Sequence, residues 1–419
     1  MADPYQGQQV RLSAQLKTSD VTGEAFFTLG YGGLIPQEPY EMVASDVFTG
    51  TADWFEVELP LDLAEGIDAV NFGFQLVGPG QMWVDAVRLE AIGPSAWTPE
   101  EATAARQDED PLPPDVAAYL NDALAIMETY SLHRDEIDWP QFRTEVLAEA
   151  AAAREIADTY EALRLAVTML GDNHSRFLTP EEAAVILGGE VENQLPEADL
   201  AAAHLGYLWL PGYLGGDQQK NNQHATLIQS LIAQVDEAEP CGWIIDLRDN
   251  RGGNMWPMLA GVGPLLGEGE VGSFVAPQGS IGWWFYGSGQ AGIDGNTIVQ
   301  VDNPYQPDYP ERAVALLIGA NTGSSGEAIV IAFHGRPDTR FFGQPTAGLS
   351  TSNSPFDLSD GALLVLTTSL MADRFDNQFG QVIEPDVFVE PESETAGEAD
   401  AALDEAIIWL QETPFCQDS

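Results

Sequence analysis

Two short, unbroken apolar runs, each ending in a turn of small and polar residues, constrain this chain most. Residues 314–318 read VALLI and run into Asn321-Thr322-Gly323-Ser324-Ser325-Gly326-Glu327, after which residues 328–334 are apolar again. Residues 242–248, GWIIDLR, run in the same way into Asp249-Asn250-Arg251-Gly252-Gly253-Asn254, with a second apolar stretch to residue 266. A continuous apolar run of this length is what a parallel strand buried on both faces requires. Repetition of strand, turn and helix predicts an α/β domain with its site at the carboxyl ends of the strands. The turn at 321–327 then sets a serine hydroxyl at a helix N-terminus, where N–H groups point outward and negative charge is favoured. Thr, Ser and Gly also cap helices in proteins without any site, so the hydroxyl needs chemical partners to count as a nucleophile.

At 419 residues the chain is too long for one ordinary core, and two or three domains are expected. Sixty-six acidic residues against 16 basic ones give a formal charge of −50, which repels nucleic acid and anionic membrane surfaces. Lysine occurs only at Lys17 and Lys220. Such acidity suits a secreted or a salt-adapted protein, and composition does not separate the two. No run of eighteen apolar residues exists, so no membrane span is expected, and the N-terminus, Met1-Ala2-Asp3-Pro4, carries no basic and apolar cleavable segment. Cys241 and Cys416 match no metal spacing; one disulfide pinning the C-terminal helix and two separate thiols are both compatible with the sequence.

The first 94 residues alternate. Val10, Leu12, Ala14 and Leu16, then Phe55, Val57 and Leu59, then Val70, Phe72, Phe74 and Leu76 each recur at every second position, predicting an antiparallel β-sandwich. Trp54 and Trp83 could stack on a sugar, but core packing is the expected role. Residues 95–114 have no periodicity, end in Pro111-Leu112-Pro113-Pro114, and read as a linker. Residues 115–185 change to a helical period, with Asp138 as a cap and Pro140 in the first turn of one helix, and residues 186–419 carry the α/β core.

The first segment resembles jelly-roll modules of carbohydrate-binding type through VRLSAQLKTSDVTG, GTADWFEVELPL and GQMWVDAVRLE; it starts inside that pattern, with an opening strand expected to be missing, and the resemblance implies carbohydrate as a partner. Residues 115–395 resemble the tail-specific serine peptidase superfamily, which includes C-terminal processing peptidases, the tricorn core protease and the interphotoreceptor retinoid-binding protein. The resemblance rests on Ile137-Asp138-Trp139, Gly171-Asp172-Asn173-His174, Leu205-Gly206-Tyr207-Leu208, the run from Asp246 through Gly253, the Ser324 turn, Gly343-Gln344-Pro345-Thr346-Ala347-Gly348 and Ile383-Glu384-Pro385-Asp386. It implies a crotonase-like α/β core and acyl transfer through a serine; no metal motif of the HExxH or cysteine type appears, and no cofactor or metal is expected. Ser324 takes the nucleophile's place because Glu327 follows three positions later. The oxyanion donors are then the N–H groups of Ser325 and of Gly252 or Gly253.

The branches of that superfamily differ in their general base. Leu349 stands where the processing peptidases carry lysine, whereas His174 matches the histidine of the tricorn-like branch. A serine needs such a base at neutral pH. His133, His204 and His224 lie in no polar small-residue turn, and His334 lies about three helical turns beyond Ser324 on the same helix, away from its N-terminus. Asn173 precedes the base where tricorn-like relatives carry serine, and Gly380 stands where they carry glutamate, leaving Asp172, Asn173, Asp373 and Asp376 as candidates to orient the imidazole. The acidic surroundings are expected to raise the pKa of His174, so that activity still climbs above neutral pH. Trp283 and Trp284 are candidates to wall an acyl pocket. The expected protein is an extracellular or periplasmic serine hydrolase acting on peptides, with small esters as easier substrates. A carboxylesterase with little peptidase activity, or a catalytically weak binding protein with the same fold, is the alternative.

Overall fold

The structure is a computed structural model and describes residues 5, 8–32, 41–45, 47–63, 69–77, 79–94, 112–187, 193–201, 204–390 and 400–417. Most of the expected 95–114 linker lies outside these residues. Five strands come first: β1 (Gln8–Gly32), β2 (Glu41–Ala44), β3 (Phe48–Asp62), β4 (Ala69–Val77) and β5 (Gln81–Pro94). Helices α1 (Pro114–Tyr130), α2 (Trp139–Glu149) and α3 (Tyr160–Met169) follow, then strand β6 (Arg176–Leu178) and helix α4 (Pro180–Leu187). Strands β7 (Glu197–Ala201) and β8 (Leu205–Trp209) lead through α5 (Gln218–Asp236) to β9 (Gly242–Asp246) and α6 (Met255–Leu266). Four strands then run in succession, β10 (Gly269–Ala276), β11 (Gly279–Gly287), β12 (Gln290–Ile293) and β13 (Asn296–Gln300). The chain closes with β14 (Ala313–Ile318), α7 (Ser325–Phe333), β15 (Thr339–Gly343), β16 (Thr351–Asp357), β17 (Leu363–Asp373), β18 (Val387–Phe388), α8 (Ala401–Gln411) and α9 (Pro414–Gln417).

Contacts divide the chain into two compact units, Met1–Pro113 with Asp138–Arg154, and Pro114–Ile137 with Glu155–Ser419. In the first, every strand pairs antiparallel with the 25-residue β1, or is reached through it, so the described strands make one hydrogen-bonded sheet. Val10, Leu12, Leu16, Val57, Leu59 and Leu61 form its apolar face, as the alternation requires. Trp54 and Trp83 differ from expectation: they are 46% and 41% exposed. Their neighbours Phe55 and Val84 pack into the core, and adjacent residues of a strand face opposite ways. Asp138 caps α2 by accepting from the Gln141 N–H at 3.2 Å, as the sequence predicts.

The second unit is built on a six-stranded sheet, β18-β15-β14-β9-β8-β7, parallel except for β7. Every residue of β9 and β14 is buried. Alternate residues of β14 serve opposite faces. Val314, Leu316 and Ile318 pack with Ile228, Met258, Leu259 and Ile329, while Ala313, Ala315 and Leu317 pack with Ala402, Ala406 and Leu410. Helices therefore cover both faces, which is why these strands read as unbroken apolar runs. A disulfide joins Cys241 to Cys416 and ties the last helix beside β9. The seven-stranded antiparallel sheet runs β13-β12-β11-β10-β17-β16, with β6 added to β17. Among the described residues no helix is long and apolar enough to cross a membrane.

Candidate active site

The carboxyl ends of β9 and β14 lie side by side, and the two turns that leave them meet. Gly323 donates its N–H to the Asn250 carbonyl at 3.0 Å. The Asn250 side chain is wholly buried, donates to the Leu210 carbonyl at 3.1 Å and accepts the Gly252 N–H at 3.0 Å. Gly252 has φ +100°, and a Cβ there would stand 2.8 Å from the Ser324 Cβ and 3.0 Å from the Ser325 nitrogen. Only glycine allows that approach.

Ser324 sits at the N-cap of α7 with φ 53° and ψ −118°, a backbone conformation that costs a non-glycine residue about 1–3 kcal/mol. Glu327 holds it there. The Glu327 carboxylate is fully buried and accepts the Ser324 N–H at 2.8 Å, the Leu349 N–H at 2.8 Å, the Gly348 N–H at 3.0 Å and the Thr346 hydroxyl at 2.6 Å. Burial pushes its pKa up, against the pull of the Thr346, Ser324, Leu349 and Gly348 donors. Since the Ser324 N–H and the Gly252 N–H are both committed, the free amide donors of the two turns are those of Ser325 and Gly253. Neither has an acceptor among the described residues. Of the two glycines named from sequence, Gly253 is the available donor and Gly252 the close-approach residue.

His174 is 6% exposed, and its Nδ1 lies 2.7 Å from the Thr351 hydroxyl. With Nδ1–H donating to Thr351, Nε2 is left to take a proton. Thr351 stands two residues beyond Leu349, about 7 Å of extended chain, so one loop carries both the Glu327 clamp and the contact to the imidazole. No direct hydrogen bond joins His174 to Ser324 among the described residues. Burial lowers the His174 pKa to about 4, helped by Arg176 and opposed by Asp172. The upward shift expected from surrounding acid is overturned, because desolvation outweighs the nearby carboxylate.

The other sequence candidates divide. Asp172 turns back on its own loop, accepting from the N–H groups of His174 and Ser175 and from the Thr367 hydroxyl, and so does not touch the ring. That turn leaves Asn173 exposed with no hydrogen bond to the imidazole, and Thr351 has the place proposed for it. Asp373 is engaged by His334 Nδ1 at 2.8 Å, and Asp376 is exposed. Leu349 rests its Cδ1 3.6 Å from where a Gly323 Cβ would be, which puts an apolar side chain against the serine turn. Trp284 is fully buried in the core against Phe274, while Trp283 is half-buried on the other side of β11; Trp284 is a packing residue and cannot wall a pocket. Among the described residues no cluster could hold a metal ion. Thr351 and Asn250 went unrecognised in the sequence, since a lone hydroxyl 177 positions from its imidazole leaves no local pattern. A cavity of about 490 Å³ opens beside the Asn321 turn, lined in part by Arg248, Asp249, Gln344 and Asp400, with neither Ser324 nor His174 in its wall.

Residues 204–389, which include both strand-end turns and Ser324, match the profile of peptidase family S41. The matched region is a peptidase S41 domain, of the tail-specific protease family. A nisin-resistance protein of Lactococcus lactis subsp. lactis is 29% identical over 301 residues, covering 72% of this chain and 88% of the relative. The structure of a lipoprotein from Streptococcus agalactiae superposes with a TM-score of 0.57 at 23% identity, over 71% of this chain and 97% of that one, and so shares the fold. The photosystem II D1 C-terminal processing protease gives a TM-score of 0.49 at 16% identity, over 67% of this chain and 94% of that one.

Proposed function

We propose that this S41 protein is a serine peptidase of the tricorn-like branch, which forms an acyl-enzyme on Ser324 with His174 as general base. The observation that carries the reading is the Ser324 backbone, held at φ 53° at a helix N-terminus by Glu327, with the free amides of Ser325 and Gly253 beside it. A peptide carbonyl placed against Ser324 Oγ would send its developing oxyanion toward those two donors. His174, neutral across the physiological range, takes the hydroxyl proton and returns it to the leaving amine. Thr351 fixes the tautomer, a neutral counterpart of the carboxylate usual in that position. An ester has a better leaving group, so small acyl esters are accessory substrates in this reading. A binding protein without turnover is the second reading, favoured only by the missing carboxylate.

We read the α/β core as crotonase-like and the first sheet as a jelly-roll module whose exposed Trp54 and Trp83 offer ring faces to a sugar. The Cys241–Cys416 bond fits an oxidising, extracytoplasmic setting, periplasmic or extracellular. The domain reading keeps 1–94, 95–114, 115–185 and 186–419 as its divisions. The natural substrate is taken to be a peptide, as the name of the nisin-resistance relative encourages, and the charge of −50 favours a cationic one. At low salt, a peptide bearing several lysines should be cleaved with a kcat/KM about 10-fold or more above that of its glutamate-bearing counterpart, and the gap should close in 0.5 M salt. Product formation followed by mass spectrometry decides it. Equal cleavage of both peptides at low salt would contradict the preference.

A further inference from the structure

We infer that the Ser325 side chain is a positioning residue that latches the oxyanion hole, separately from the N–H its backbone supplies. The inference rests on the acyl-enzyme reading above. Its starting point is the softness of the second donor. Gly253 follows Gly252, with φ values of +112° and +100°, and neither has a side chain to resist rotation of the peptides between them. A flip of the Gly252–Gly253 peptide would take the Gly253 N–H out of the hole, and a rotation of the next peptide would loosen the Gly253 backbone that carries it.

Three hydrogen bonds hold the two peptide planes. The Gly252 carbonyl accepts the Tyr213 N–H at 3.1 Å, so the Gly253 N–H of the same planar trans peptide points the opposite way, off Tyr213. In the next peptide the Asn254 N–H donates to the Tyr213 carbonyl at 2.6 Å, and the Gly253 carbonyl accepts the Ser325 hydroxyl at 2.6 Å. Tyr213 therefore grips both planes from one side. Ser325 grips the second from the nucleophile's side, and among the described residues its hydroxyl is the side-chain group that ties the glycine turn to the start of α7. Ser325 is 7% exposed, so this bond is shielded from competing water. One residue thus supplies one donor through its backbone and, through its hydroxyl, anchors the far side of the glycine that carries the other.

Three variants separate this role from packing. Ser325→Ala removes the hydroxyl and keeps the N–H, and should lower kcat by about 10- to 100-fold with KM within two-fold, less than deletion of a donor itself, because the Gly253 N–H is disordered rather than lost. Ser325→Cys refills the volume with a weak donor and should stay within a few-fold of the Ala variant. The rate of covalent labelling by a fluorophosphonate, whose phosphoryl oxygen occupies the same hole, should fall in parallel, with thermal midpoints measured for each protein to exclude misfolding. Full activity in Ser325→Ala, or full recovery in Ser325→Cys, would overturn the latch. Ser324→Ala runs alongside: if it is dead while Ser325→Ala is unimpaired, only the latch fails, whereas turnover surviving in Ser324→Ala removes the acyl-enzyme reading and the latch with it.

Discussion

Replacing Ser324 with alanine should lower kcat for peptide cleavage by about 10⁴-fold or more while leaving the fold intact. The expectation of a sound fold follows from where the side chain stands. The strained turn is held by the Ser324 N–H on Glu327 and by the Gly323 N–H on Asn250, both backbone donors that alanine retains. Alanine also keeps the Cβ that packs against Gly252. The size of the loss follows from chemistry: the amides of Ser325 and Gly253 still polarise a carbonyl, but nothing remains to attack it except water. Rates from single-turnover cleavage, set beside the thermal midpoint, separate the two effects. A variant with a native midpoint and more than a hundredth of native kcat would show that another residue attacks.

Substituting His174 should cost nearly as much, and the pH dependence identifies why. A group that must be unprotonated to act gives activity that rises through its pKa and then levels. With burial holding His174 at about 4, kcat/KM should climb between about pH 3.5 and 5 and stay flat from 5.5 to 8, where an unshifted histidine near 6.5 would still be titrating. His174→Ala should lose about 10³-fold or more and show no such limb. Thr351→Val removes the hydroxyl at Nδ1 and should cost about 10-fold in kcat with little change in KM, since the imidazole keeps its place and loses its orientation. The full profile in the native and both variant proteins tests this together. A limb centred near 6.5 in the native protein, or one that persists in His174→Ala, would place the base elsewhere.

Much of the core was legible because burial on both faces leaves an unmistakable trace. The runs at 242–248 and 314–318 became β9 and β14, and the serine turn after the second became the start of α7. The lead helix was legible from its cap, since Asp138 and Pro140 each act within one turn. What escaped was set by contacts distant in sequence. Thr351 orients His174 from β16, and the pairing of Cys241 with Cys416, one of two alternatives the sequence left open, spans 175 positions. The tryptophans were misjudged for a different reason. Trp54 and Trp83 look like core by size, but Phe55 and Val84 beside them claim the inner face, and Trp284, read as a pocket wall, lies at 0% exposure within the core. The alternation itself held that answer, because two neighbours on one strand cannot both face inward.

The most direct test of the account is to treat the native protein with a fluorophosphonate at pH 7 and locate the adduct by mass spectrometry, with Ser324→Ala and His174→Ala treated in parallel. A single adduct on Ser324 is expected, none in Ser324→Ala, and labelling slowed by about 10³-fold in His174→Ala. An adduct on another residue that persists undiminished in Ser324→Ala would contradict it.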